Sequence, residues 1–109
     1  MTFDEYAIEA RRTAKYPAEV RYAYVALGLV GEAGEIANKV KKIYRDFDGS
    51  LVRSGYKGAL MDEIGDVLWY VSVLCDEIGV EFKDVAARNL AKLADRTARG
   101  VLRGSGDNR

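Results

Sequence analysis

Histidine is absent from this 109-residue sequence, which removes Ser-His-Asp and Cys-His nucleophilic systems and any zinc site built with histidine. Acid-base chemistry must fall to carboxylates, lysine, tyrosine or metal-bound water. Cysteine occurs once, at Cys75, so no intrachain disulfide can form and a reducing compartment is expected. Neither sign of charge is in excess: 17 Lys and Arg stand against 17 Asp and Glu, with an isoelectric point near 6.3. No global basic field recommends the chain to nucleic acid or to an anionic membrane. Long apolar runs are missing too. The most apolar stretch is broken by Asp62, Glu63, Asp66 and Asp76, and no charged leader with an apolar segment opens the chain. Neither a membrane span nor a signal peptide is expected, and the cytoplasm is the expected location. Proline is confined to Pro17.

What is present reads as helix. Thr2-Phe3-Asp4-Glu5 matches a capping box, and Phe3, Tyr6, Ala7, Ala10 and Ala14 recur at helical spacing. A first helix is predicted over about 3–15, stopped by Tyr16-Pro17 because the residue before proline disfavours α geometry. A second is predicted over 18–45, closed by the turn residues Asp46 to Ser50. The stretch to Gly58 reads as a loop with room for a short helical turn. Leu60, Ile64, Val67, Leu68, Val71, Leu74, Cys75 and Ile78 form a wide stripe on a third helix capped by Gly79, and Val85 to Arg99 mark a fourth. Period-two alternation is absent over any useful length, so the fold class is an all-α, four-helix bundle-like protomer. Trp69, Tyr70 and Val73 lie outside the third helix's main stripe, leaving it apolar over most of its circumference. Three other helices would hardly enclose it, so a second subunit is expected to complete the burial. Residues 1–99 read as one domain. Residues 100–109, rich in glycine and polar residues, read as a tail that is mobile unless something holds it.

Charge is unevenly placed along the chain. Leu60 to Val80 carries five acids and no Lys or Arg, whereas from Glu81 onward seven bases face four acids. Two short acidic pairs stand out, Glu32-Ala33-Gly34-Glu35 and Glu63-Ile64-Gly65-Asp66. Residues three apart share a helical face, so each pair aims two carboxylates in one direction. Four carboxylates gathered by two packed helices repel: at an effective dielectric near 20, two unit charges about 5 Å apart cost roughly 3 kcal/mol. Hard divalent cations with oxygen ligands answer that repulsion, and Mg2+ held by carboxylates keeps other positions for water and phosphate oxygens. Such pairs are also common on solvated faces. These two, however, sit beside Leu27, Leu29, Val30, Ile36, Leu60 and Val67 instead of on a Lys-Glu surface. Gly28, Gly31, Gly34 and Gly65 spend helix stability, about 1 kcal/mol each, and predict close approach of a neighbouring backbone or a ligand.

Taken together, the E-A-G-E pair, a spacer of 27 residues and the E-I-G-D pair resemble the E-x-x-E and E-x-x-D signature of the MazG-like nucleotide pyrophosphohydrolases, within the all-α NTP pyrophosphatase superfamily. Gly28-Leu29-Val30-Gly31, Val67-Leu68-Trp69-Tyr70 and Asn89 to Arg96 extend the likeness over about residues 20–100, and the Gly-Ser-Gly-Asp-Asn-Arg ending is similar to small phage-type members. The resemblance implies Mg2+-dependent cleavage of a nucleoside triphosphate between its α and β phosphates, with Mn2+ as a possible substitute and nucleotide-pool housecleaning as the role. It implies Glu32, Glu35, Glu63 and Asp66 as metal ligands, Glu32 or Glu35 as the base, and Lys92 and Arg96 as phosphate contacts. That basic pair reads equally as a solvated face. Lys39 either reaches a phosphate or pairs with Glu35, and Tyr70 and Trp69 either stack on a base or belong to the core. Gly31 stands where the family usually has a further acid, so the number of metal ions stays open. A homodimer or homotetramer is expected, with neither nucleic acid nor membrane as partner. Two other readings stay open: phosphoribosyl-ATP pyrophosphohydrolase, and a non-catalytic helical protein that binds metal or nucleotide.

Overall fold

Thr2 opens the first helix as its sequence demands: its hydroxyl accepts from the Glu5 amide at 3.1 Å, while the Glu5 carboxylate accepts from the Thr2 amide at 3.0 Å. In the computed structural model, which covers residues 1–109, this helix, α1, spans Phe3–Arg12. It ends earlier than expected because Thr13 folds onto the last turn, its hydroxyl donating to the Ala10 carbonyl at 2.9 Å. Pro17 leads into a 3-10 turn at Ala18–Val20, and α2 follows over Arg21–Phe47. The expected single helix from Ala18 is interrupted at Val20, whose φ of −119° and ψ of 15° leave helical geometry. Asp48 then takes the left-handed conformation, with φ 51°, and ends α2. The helical turn foreseen in the loop is α3, Leu51–Ser54, capped by the Ser50 hydroxyl accepting from the Arg53 amide. The remaining helices are α4, Lys57–Glu77, and α5, Phe82–Arg99, and no strand is present.

The two long helices run antiparallel. Contacts pair Gly28 with Tyr70, Glu32 with Asp66 and Lys39 with Glu63, so residue number rises along α2 as it falls along α4. One close approach sets this register: a Cβ built on Gly28 would lie 2.2 Å from Tyr70 Cε1. Only glycine admits the ring there. Gly31, Gly34 and Gly65, expected to mark similar approaches, instead face open space within the chain. Helix α1 lies against α4 and α5, with Phe3 stacked on Phe82 at 4.5 Å between ring centroids and Trp69 Nε1 donating to Thr13 Oγ1 at 2.8 Å.

The core is thin. Ala10, Val25, Ile43, Val73, Cys75 and Phe82 make up its apolar part, whereas Leu27 at 72% exposure, Val30 at 69%, Met61 at 70% and Ile64 at 57% leave both long helices uncovered on one side. The accessible surface is 7841 Å2 for a 12.1 kDa chain, against about 6,000 Å2 for a compact monomer of that mass. The Cα radius of gyration is 16.9 Å, against about 13 Å expected for a compact chain of this length. The tail from Gly100 turns back on α5, held by Asp107 against Lys92 and Arg96 and by Arg109 against the Val101 and Leu102 carbonyls.

Candidate metal centre

Antiparallel pairing of α2 and α4 brings Glu32 across from Glu63 and Asp66. One carboxylate oxygen from each of the three lies within 4.8 Å of the others; Glu32 and Glu63 are half-buried and Asp66 is exposed. Burial raises the Glu32 carboxyl above its ordinary pKa, and the nearby charges of Asp66 and Glu63 push it further. A cation placed among the three would relieve that repulsion. The donor set is entirely oxygen and anionic, which suits Mg2+ or Mn2+ and disfavours softer metals. Metal–oxygen bonds near 2.1 Å place three oxygens around one ion at roughly 3.0–3.6 Å from one another, so a closure of at most about an ångström would let the three share one ion.

Glu35, expected as a fourth ligand, stands outside this group, on the exposed side of α2. Its charge still reaches Glu32 and Lys39 through space. Lys39 pairs across the helices with Glu63, its Nζ 2.7 Å from Glu63 Oε1, and not with Glu35 as one of the two sequence readings had it. That hydrogen bond raises the Lys39 ammonium above its usual range and fixes one face of Glu63. A cavity of about 350 Å3 opens beside the cluster, lined by Thr13, Glu32, Asp66, Trp69 and Tyr70. The two aromatics stand edge to face with centroids 4.9 Å apart, and the phenol of Tyr70 is raised chiefly by burial. Thr13 is the residue that the sequence did not announce. It has no motif of its own, and only the packing of α1 on α4 brings it to Trp69.

Lys92 and Arg96 lie one turn apart on α5 and converge on an anion, but that anion is the chain's own Asp107 and not a member of the acidic cluster. Lys92 Nζ and Arg96 Nη2 each stand 3.1 Å from Asp107 Oδ1. Arg96 is 4% exposed, an unusual burial for a guanidinium, and its grip together with Lys92 holds the Asp107 carboxyl below the usual carboxylate range.

The chain is thus an all-α protein whose two long antiparallel helices gather three carboxylates into one acidic cluster of a composition that suits a divalent cation. The chain belongs to the MazG nucleotide pyrophosphohydrolase family, whose domain matches residues 22–100. It is 50% identical over 115 aligned positions to the Gene 37 protein of Mycobacterium phage L5, covering the whole of both chains. It is also 33% identical over 92 positions to the uncharacterized protein YvdC of Bacillus subtilis (strain 168), covering 81% of this chain and 83% of that protein. No solved structure matches. No helix is long and apolar enough to cross a membrane.

Proposed function

We propose that the protein hydrolyses nucleoside triphosphates between the α and β phosphates in the presence of Mg2+ or Mn2+, releasing a nucleoside monophosphate and pyrophosphate. The observation that carries this reading is the meeting of Glu32, Glu63 and Asp66 within 4.8 Å from two helices, inside the segment that matches the family. These three would hold the cation, which when bound offsets polyphosphate charge and polarises the phosphoryl group. Lys39 orients Glu63 from its far side by the 2.7 Å hydrogen bond. Glu35, left outside the cluster but next to it, is the acid free to accept the proton of the attacking water. Lys92 and Arg96 supply charge-assisted contacts to phosphate, a role supported by the carboxylate they already grip. Tyr70 and Trp69 wall the adjoining cavity, where the nucleoside would lie. The uncovered faces of α2 and α4 would be closed by a second copy, giving a homodimer or homotetramer.

A panel of NTPs and dNTPs with Mg2+, followed by pyrophosphate release, tests the activity. The wild-type chain should turn over at least one of them and Glu63→Gln none. Glu35→Gln should retain cation binding while losing kcat. A panel without pyrophosphate release from the wild type would return the chain to a binding role.

A further inference from the structure

Arg96 carries a charge that burial makes expensive unless an anion meets it. The chain meets it from its own tail. Asp107 offers one carboxylate oxygen to two cations, Lys92 Nζ and Arg96 Nη2, each at 3.1 Å, and its main-chain oxygen accepts a further bond from Arg96 at 3.0 Å. One carboxylate thus answers two full positive charges, leaving the pair short of negative charge. A triphosphate brings more charge and more acceptor oxygens to the same place.

The contact is also built to open. The Asp107 side chain is 81% exposed while that of Arg96 is 5% exposed, so the basic partner is fixed and the acidic one is on the outside. Gly100 and Gly106, with φ of 72° and 79°, take the left-handed turns by which the segment folds back on α5. The loop keeps internal bonds without Asp107, Arg109 Nε donating to the Val101 carbonyl and Nη2 to the Leu102 carbonyl, each at 3.1 Å, while Arg99 at the end of α5 donates to the main-chain oxygen of Arg109. Beside the contact lies a cavity of about 480 Å3 lined by Arg88, Asn89, Lys92, Asp107 and Asn108. It has room for an anion larger than a carboxylate, with a further guanidinium and amide at its wall.

We propose that the segment from Gly100 to Arg109 is an autoinhibitory strap whose Asp107 carboxylate occupies the Lys92–Arg96 pair as an internal anion, so that polyphosphate binds there only by displacing it. This rests on the reading of Lys92 and Arg96 as phosphate contacts. The ligand's apparent affinity is then lowered by the fraction of chains with the strap open. An ion pair of this exposure favours closure by a factor of a few, so removing the carboxylate charge should tighten polyphosphate binding by up to about fourfold.

The test is isothermal titration of the full chain with sodium tripolyphosphate in the absence of divalent cation, comparing wild type with Asp107→Asn. The strap predicts tighter binding by the variant, with the gain shrinking as salt is added because the contact is exposed. Equal affinities, weaker binding by the variant, or no measurable binding by either chain overturns it. Neither cation nor turnover is needed for the readout. A gain in a chain that releases no pyrophosphate keeps the strap and removes the proposed activity, and an active enzyme without the gain does the reverse.

Discussion

Replacing Asp66 by asparagine should make the metal-free protein more stable and shrink the stabilisation it gains from Mg2+. Asp66 shares a 4.8 Å cluster with Glu32 and Glu63, and at that separation an effective dielectric near 20 gives about 3.5 kcal/mol of repulsion per charged pair. Asp66 is exposed and water screens it, so the relief from its removal is reduced to about 1 kcal/mol. For a domain of this length that corresponds to a rise of about 4 °C in Tm. In the wild type, a cation at ten times its Kd stabilises by about 1.4 kcal/mol, or about 6 °C. Asp66→Asn removes one of three charged ligands; if its affinity falls tenfold, the same cation concentration yields only about 0.4 kcal/mol. Differential scanning calorimetry in EDTA and in Mg2+ reads both arms. An asparagine variant that melts lower than wild type in EDTA, yet gains as much from Mg2+, would refute the reasoning, because the acid would then be neither repelled by its neighbours nor a ligand.

Gly28→Ala should lower Tm, since its new methyl meets the Tyr70 ring at 2.2 Å and overpacking costs about 1–3 kcal/mol, more than the helix propensity of alanine returns; Gly34→Ala, facing open space, should gain the propensity term of about 1 kcal/mol, a rise of about 4 °C in Tm, and a loss there would show another surface packed on that face. The Glu77 carboxyl is held below its ordinary pKa by hydrogen bonds from Tyr16 and Arg11. Its contribution to stability is therefore present above the ordinary carboxylate pKa and lost as pH falls through the depressed one, and Glu77→Gln should flatten the acid limb of a Tm-against-pH curve. Sedimentation should find a species larger than the protomer, because the surface of 7841 Å2 exceeds the roughly 6,000 Å2 of a compact chain; a monomer at all concentrations would remove the proposed assembly.

The helices were legible because their signals are local. The Thr2–Glu5 box, Tyr16-Pro17 and the apolar stripes each act within a few residues, and even the turn in the 46–58 loop could be foreseen. The ends that shifted did so through contacts no local pattern carries, such as Thr13 binding Ala10 behind it and Trp69 across from it. Pair spacing placed Glu32 and Glu35 on one face, but it could not give the register between helices, which Gly28 fixes by admitting Tyr70. That register gives Glu63 to Lys39 and leaves Glu35 at the edge. Gly31, Gly34 and Gly65 looked equivalent to Gly28 in sequence because a glycine carries no record of which neighbour it faces. Lys92 and Arg96 were visible as a pair, whereas Asp107 as their counter-ion depends on how a ten-residue tail folds back.

The central claim is that carboxylates from α2 and α4 hold one ion that in turn touches a polyphosphate. Electron–nuclear double resonance of Mn2+ bound to the protein with an α,β-methylene nucleoside triphosphate, which resists cleavage, reads that contact directly through the phosphorus coupling. Bound Mn2+ coupled to phosphorus is expected in the wild type, with loss of the bound ion in Glu32→Gln and Glu63→Gln. Unchanged spectra in both variants, or bound Mn2+ without phosphorus coupling in the wild type, would contradict it.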